Sequence, residues 1–252
     1  MKEKVAIHTT ECIDLVLFHV LKEVENGTYI DVGANDPWDC SVTKLFYDRG
    51  WSGINIEPQK ICYDLLQADR PRDINICVGA GNCETELELY GKGWMATLDR
   101  SLAKKEAVSN PTVIKIMTLT KILDDMRPDG DIHFCKIDAE GYSRQVLEGL
   151  DLKRYRPWVF VVESAVPGTR KPSFEDWEHI LINNGYEVAM VDTYNRYYVD
   201  RGHIPLKDRF LEAGRLCEIY DAYIVGPFCP HGVWVDIIKG FFGKLLEKIK
   251  GN

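Results

Sequence analysis

The chain has 252 residues, 45% hydrophobic and 28% charged, enough for one sizeable core and too apolar for wholesale disorder. Thirty-one Lys and Arg against 39 Asp and Glu leave a formal net charge of −8, a poor basis for gripping a phosphate backbone, so no nucleic-acid partner is expected. The first residues lack a long apolar run with a cleavage pattern. No stretch approaches the ~18 apolar residues of a spanning helix, so the expectation is a cytoplasmic protein with reduced cysteines.

In chain order, residues 11–25 read as a helix closed by the turn pair Asn26-Gly27. Thr28–Val32 follows as a buried strand, then a helix over 40–49 with Gly50 as its stop. Ile54–Glu57 is the next strand, 59–69 the next helix and Ile74–Val78 a third strand. Residues 84–90 and 94–98 alternate about Gly91 and Gly93 and predict an inserted hairpin. Val113–Met117, Ile132–Ile137 and Trp158–Val162 are further strands. Thr118 or Thr120 caps a helix between the first two, and a short helix ending at Gly149 lies between the last two. Ser173–Asp176 has the form of a capping box for a helix ending at Asn184-Gly185. Tyr186–Val191 and Arg196–Val199 complete the strands. This alternation predicts an α/β fold divided into a helical extension over 1–27, a main domain over 28–202 and an extension over 203–252. Residues 233–249 are apolar on one face and lysine-rich elsewhere. That face packs on its own domain or on a second subunit in a homo-oligomer, or it makes a peripheral membrane contact.

Tyr29–Pro37 sits at the carboxyl end of the first strand, where open α/β sheets bind ligands. Only Gly33 of the three glycines of a pyrophosphate loop is present, and Asp31, Asp36 and Asp39 surround the turn. Charge logic there prefers S-adenosylmethionine, a sulfonium and ammonium without phosphate, to a dinucleotide. Glu57 ends the second strand, where a carboxylate accepts hydrogen bonds from ribose hydroxyls. An ordinary turn acid at 31 and a solvated strand end at 57 are the plainer alternatives.

Several separated segments then resemble the FkbM-type S-adenosylmethionine-dependent methyltransferases. They are Tyr29–Pro37, Ser41–Tyr47, Gly50–Pro58, Gly93–Leu98, Lys136–Gly141 with Val146–Gly149, Arg156–Trp158 and Asn195–Val199, in order over about 28–200. The resemblance implies a Rossmann-like class I methyltransferase fold, a mostly parallel seven-stranded sheet whose last strand is antiparallel. It implies S-adenosylmethionine as cofactor, held by Asp31, Gly33, Ala34, Asn35, Ser41, Glu57, Pro58, Val78 and Asp138. It further implies methylation of a hydroxyl, often on a sugar of a glycan, polysaccharide or natural product. Ala139 departs from the branched residue of many relatives.

For such a transfer Asp138 faces the methionine part of the cofactor and Glu140 orients or deprotonates the acceptor; strand alternation puts the two on one side. Glu163, ending the next apolar strand, is a second base candidate. Together the three could supply oxygen ligands to a divalent metal, although the reading adopted has none. Trp94, Asn195 and Tyr197 are the candidates for contact with a carbohydrate acceptor. The rival readings are N-methylation of an amine, a nicotinamide-dependent oxidoreductase and a non-catalytic cofactor-binding scaffold.

Overall fold

The computed structural model describes residues 2–128 and 130–225. The amphipathic helix expected over 233–249, and with it the membrane contact, lies outside the described residues. Twelve strands run through the described residues. They are β1 (Glu3–Ile7), β2 (Thr28–Val32), β3 (Ser52–Ile56), β4 (Ile74–Ile76), β5 (Gly79–Gly81) and β6 (Thr85–Leu89). β7 (Thr112–Thr118), β8 (Phe134–Ile137), β9 (Val159–Glu163), β10 (Tyr186–Val191), β11 (Asn195–Asp200) and β12 (Tyr220–Ile224) follow. Seven of them form one sheet in the order β10-β11-β9-β8-β2-β3-β4. β4, β3, β2, β8 and β9 are parallel neighbours, and β11, last of the seven in the chain, is antiparallel to both β9 and β10. The Rossmann-like arrangement is therefore present.

The central strands are apolar on both faces because both faces are covered. Tyr29 of β2 and Val159 and Val161 of β9 join one core, with Leu15, Val16 and Leu17 of the helix Ile13–Val20. Ile30 and Val32, with Phe160 and Val162, join the other, under the helices Leu119–Met126, Ser143–Glu148 and Glu178–Asn183. Thr118 caps the first of these, its hydroxyl accepting the Lys121 N–H at 3.1 Å. No disulfide joins the described cysteines, and among the described residues no helix is long and apolar enough to cross a membrane.

Three local expectations give way. The hairpin of 84–90 with 94–98 reduces to a single bridge between Tyr90 and Thr97, and β6 pairs antiparallel with β7 instead. Gly91 and Gly93 are left-handed, at φ +91° and +67°, and residues 93–95 coil into one 3₁₀ turn, so that stretch cannot stay extended. The helix placed after Ser173 starts later, at Glu178: a single turn closes with the Glu178 N–H donating to the Phe174 carbonyl at 2.9 Å, and Trp177, at φ −130°, leaves helical geometry before the helix begins. The segment before residue 27 holds a strand as well as a helix, β1 pairing in parallel with β12 from Glu3↔Tyr220 to Ile7↔Ile224.

Candidate active site

The carboxyl ends of β2, β3 and β8 open into a cavity of about 270 Å³ lined by Gly33, Ala34, Asn35, Glu57, Pro58 and Asp138, among others. Gly33 is left-handed, at φ +75°, and a Cβ there would lie 1.9 Å from the Asp138 carbonyl oxygen. Glycine is thus required for the ends of β2 and β8 to close on each other, and it also lines the cavity. Glu57 is 2% exposed. One of its carboxylate oxygens accepts the Asn35 N–H at 2.9 Å and the other the Gln59 N–H at 2.7 Å. Each oxygen keeps a lone pair for a ligand hydroxyl. Burial pushes the Glu57 carboxyl above its usual pKa against these two bonds.

Lys136 escaped the sequence reading. β8 places it opposite Asp31 of β2, and its Nζ donates to the Gly33 carbonyl at 2.9 Å. The same ammonium lies 3.2 Å from Asp31 and 3.5 Å from Asp138. Burial works against its charge, but Asp31 and then Asp138 outweigh that and raise the pKa. Asp31, which also accepts the Thr43 hydroxyl at 3.1 Å, is a buried strut below the cavity and not part of its lining. Asp36 turns on itself, accepting the N–H groups of Trp38 and Asp39 at 2.8 Å each. The attraction assigned to Asp31, Asp36 and Asp39 thus has fewer open anions behind it than their number suggests. Ser41 is buried, accepts from the Arg70 guanidinium at 3.0 Å and does not line the cavity. Val78 packs in the core, while its successors Gly79 and Ala80 form the wall.

A second cavity, of about 520 Å³, shares Trp94, Asp138 and Glu140 with the first and adds Glu163, Arg170 and Asn195. Carboxylate oxygens of Asp138, Glu140 and Glu163 lie within 4.8 Å of one another. A turn brings them together, not strand alternation. β8 stops at Ile137, Glu140 is left-handed at φ +47°, and the Thr97 hydroxyl donates to the Glu140 carbonyl at 2.7 Å. Burial, and then Asp138, push the Glu140 carboxyl up to about 8. Burial, Asp138 and Glu140 push Glu163 up to about 9. The trio has the donors for a hard cation, and the spacing alone speaks for one.

Trp94 is 72% exposed on the wall between the cavities. Gln59 fixes the preceding residue from both sides, its amide donating to the Gly93 carbonyl at 3.1 Å and accepting the Gly93 N–H at 2.7 Å. Asn195 opens onto the second cavity. Tyr197, two residues deeper on the same face of β11, does not reach it. It is fully buried and donates to Asp192 at 2.7 Å, within the first core.

Residues 31–188, more than half of the chain, match the family model described as Methyltransferase FkbM domain. Among solved structures the chain is similar to Methyltransferase FkbM from Methylobacillus flagellatus, at 17% identity and TM-score 0.46, over 69% of this chain and 44% of that one. It is similar to a TehB-like SAM-dependent methyltransferase from Corynebacterium glutamicum, at 8% identity and TM-score 0.42, over 74% and 88% of the two chains. It is also similar to a SAM-dependent methyltransferase from Geobacter sulfurreducens in complex with S-adenosyl-L-homocysteine, at 13% identity and TM-score 0.35, over 97% and 87%. At these scores none of the three bears on the roles assigned below. The match spans less than half the length of the Methylobacillus protein. No curated protein matches the sequence at significance.

Proposed function

The chain belongs to the FkbM methyltransferase family, and from that premise we propose that it transfers a methyl group from S-adenosylmethionine to a hydroxyl of a saccharide. The observation that carries this reading is that two cavities meet at Asp138 and Glu140. The first suits the donor. Glu57 keeps lone pairs for a vicinal diol, the walls include apolar Ala80, Leu89 and Pro58, and the turn lacks the glycines of a pyrophosphate cradle. When bound, S-adenosylmethionine supplies a methyl carbon on a sulfonium, which departs as a neutral thioether as the acceptor oxygen bonds that carbon.

The chain's own part is to align the acceptor and receive its proton. Asp138, steadied by Lys136, faces the methionine part of the cofactor. Glu140 takes the hydroxyl proton, and a carboxyl held at about 8 is poised near working pH for that exchange. Glu163, at about 9, stays protonated at neutral pH and orients the hydroxyl by donating a hydrogen bond. Trp94 offers a ring face and Asn195 an amide to the sugar.

Glu140→Gln is expected to cut methyl incorporation into the saccharide fraction of the source cells by about a hundredfold or more. Affinity for S-adenosylhomocysteine should stay within about threefold of the parent in calorimetry, well below a tenfold, ~1.4 kcal/mol effect. Undiminished incorporation would take the base role from Glu140. The three carboxylates also favour a second reading, an amine acceptor drawn in as its ammonium and deprotonated by one of them before its nitrogen takes the methyl group. Label found as an N-methylamino sugar after acid hydrolysis, and not as an O-methyl sugar, would select it.

A further inference from the structure

Residues 164–173 form a closed loop at the mouth of the second cavity. Ala165 and Pro172 bridge its ends, and the Val166 N–H donates to the Lys171 carbonyl at 2.8 Å. At the tip, Pro167 is followed by Gly168 at φ +69°, and the Thr169 N–H donates to the Val166 carbonyl at 2.9 Å, the pattern of a type II turn. The Thr169 hydroxyl donates to the same carbonyl at 2.8 Å and accepts the Lys171 N–H at 3.1 Å. Backbone and threonine therefore hold the loop, and the next side chain, Arg170, is left over.

Arg170 lines the cavity together with Glu11, Asp138, Glu140 and Glu163. It pairs with none of these carboxylates and, among the described residues, its guanidinium has no ion-pair or hydrogen-bond partner. Arg49, Arg156 and Arg196, by contrast, pair with Glu3, Asp200 and Glu178. The cation thus stands on the rim, beyond ion-pair reach of the acids on the floor. The floor is less anionic than its three carboxyl groups suggest. Burial and mutual repulsion raise both Glu140 and Glu163, so that Glu163 keeps its proton while Glu140 exchanges its own near working pH, and Asp138 lies 3.5 Å from Lys136. Arg170 is exposed and is the one cation among the residues that line this cavity.

We propose that the acceptor is an anionic saccharide, with a carboxylate or phosphate group paired by Arg170 while a hydroxyl of the same molecule lies against Glu140. The proposal rests on the saccharide reading above and adds the charge of the substrate to it. A guanidinium presents two parallel N–H donors to two oxygens of a carboxylate or phosphate. Anchoring the acceptor at the rim fixes which hydroxyl reaches the floor, which is what transfer from a positioned donor requires.

The test is calorimetry on the full chain loaded with S-adenosylhomocysteine, using glucose, glucuronate, glucose 1-phosphate and inorganic phosphate as probes. Glucuronate or glucose 1-phosphate is expected to bind at least about tenfold more tightly than glucose, and the one that does identifies the anionic group. Arg170→Gln should erase the difference with the melting temperature and S-adenosylhomocysteine affinity unchanged, and Lys171→Gln should retain it. Equal binding of glucose and both anionic sugars, or a preference that survives in Arg170→Gln, overturns the proposal and leaves the saccharide reading standing. Arginine-dependent binding of phosphate with no sugar bound overturns the saccharide reading and the substrate class with it. Silence from every probe overturns both.

Discussion

Gly33 shows how one missing side chain holds the donor end together. An alanine there would need a left-handed backbone and would drive its Cβ into the Asp138 carbonyl, which must move by well over an ångström. Gly33→Ala is expected to cost about 1–3 kcal/mol, read as a lower melting temperature, and to weaken S-adenosylhomocysteine by more than about tenfold in calorimetry. A parent-like melt would mean that the strand ends can part freely. Lys136 is the complementary case. Lys136→Met leaves Asp31 buried without its cation and should cost about 3–5 kcal/mol in denaturant unfolding, where an unchanged midpoint would contradict the strut. The sequence could place Asp31 and Glu57 at strand ends, since each follows a short apolar run. It could not place Lys136 opposite Asp31, because that pairing depends on β8 lying beside β2, a neighbourhood set by the sheet and not by distance along the chain.

The stretch from Tyr90 to Leu98 is an element with no regular pairing of its own, held from both sides. Gln59 grips Gly93 at the donor end and Thr97 grips the Glu140 carbonyl at the acceptor end. Glu140 is a non-glycine residue in a left-handed conformation, so the Thr97 hydroxyl supports the one backbone position that aims its carboxyl. Thr97→Val should lower turnover by about ten- to a hundredfold while S-adenosylhomocysteine binding stays within about threefold, and Thr97→Ser should restore most of it. Equal loss of turnover and binding would instead describe a general collapse of the loop. Alternation of apolar and polar residues suggested a hairpin here. β6 does alternate, but its partner is β7.

At the scale of the whole molecule, the acids on the cavity floor make stability depend on pH. Glu140 and Glu163 hold protons in the folded chain at pH values where the unfolded chain has released them. Their contribution is therefore complete below the ordinary carboxyl range near 4.5 and is lost as pH rises through about 8 and about 9. The melting temperature of the cofactor-free protein should fall between pH 7 and 9, and Glu163→Gln should flatten that fall. Identical slopes for parent and variant would place the titration elsewhere. The parallel sheet with its antiparallel last strand was legible because its strands are short apolar runs in the order of a known family. The outer pair was not, because only Val5 and Ile7 of β1 are buried to the core level and their partners lie at the far end of the described chain.

That outer pair also sets an order of events. The ribosome delivers β1 long before β12, and closing so long a loop returns nothing until both are present. The ladder runs on to Val225, whose N–H donates to the Ile7 carbonyl at 2.8 Å, and Glu11 and Ile13 just beyond contribute to the acceptor wall. The strands around the donor cavity, β2, β3 and β8, need no such wait. A nascent chain thus acquires the cavity beside β2 and β3 first and the cavity beside Glu163 last, and amide protons of β1 should exchange with solvent sooner than those of β2.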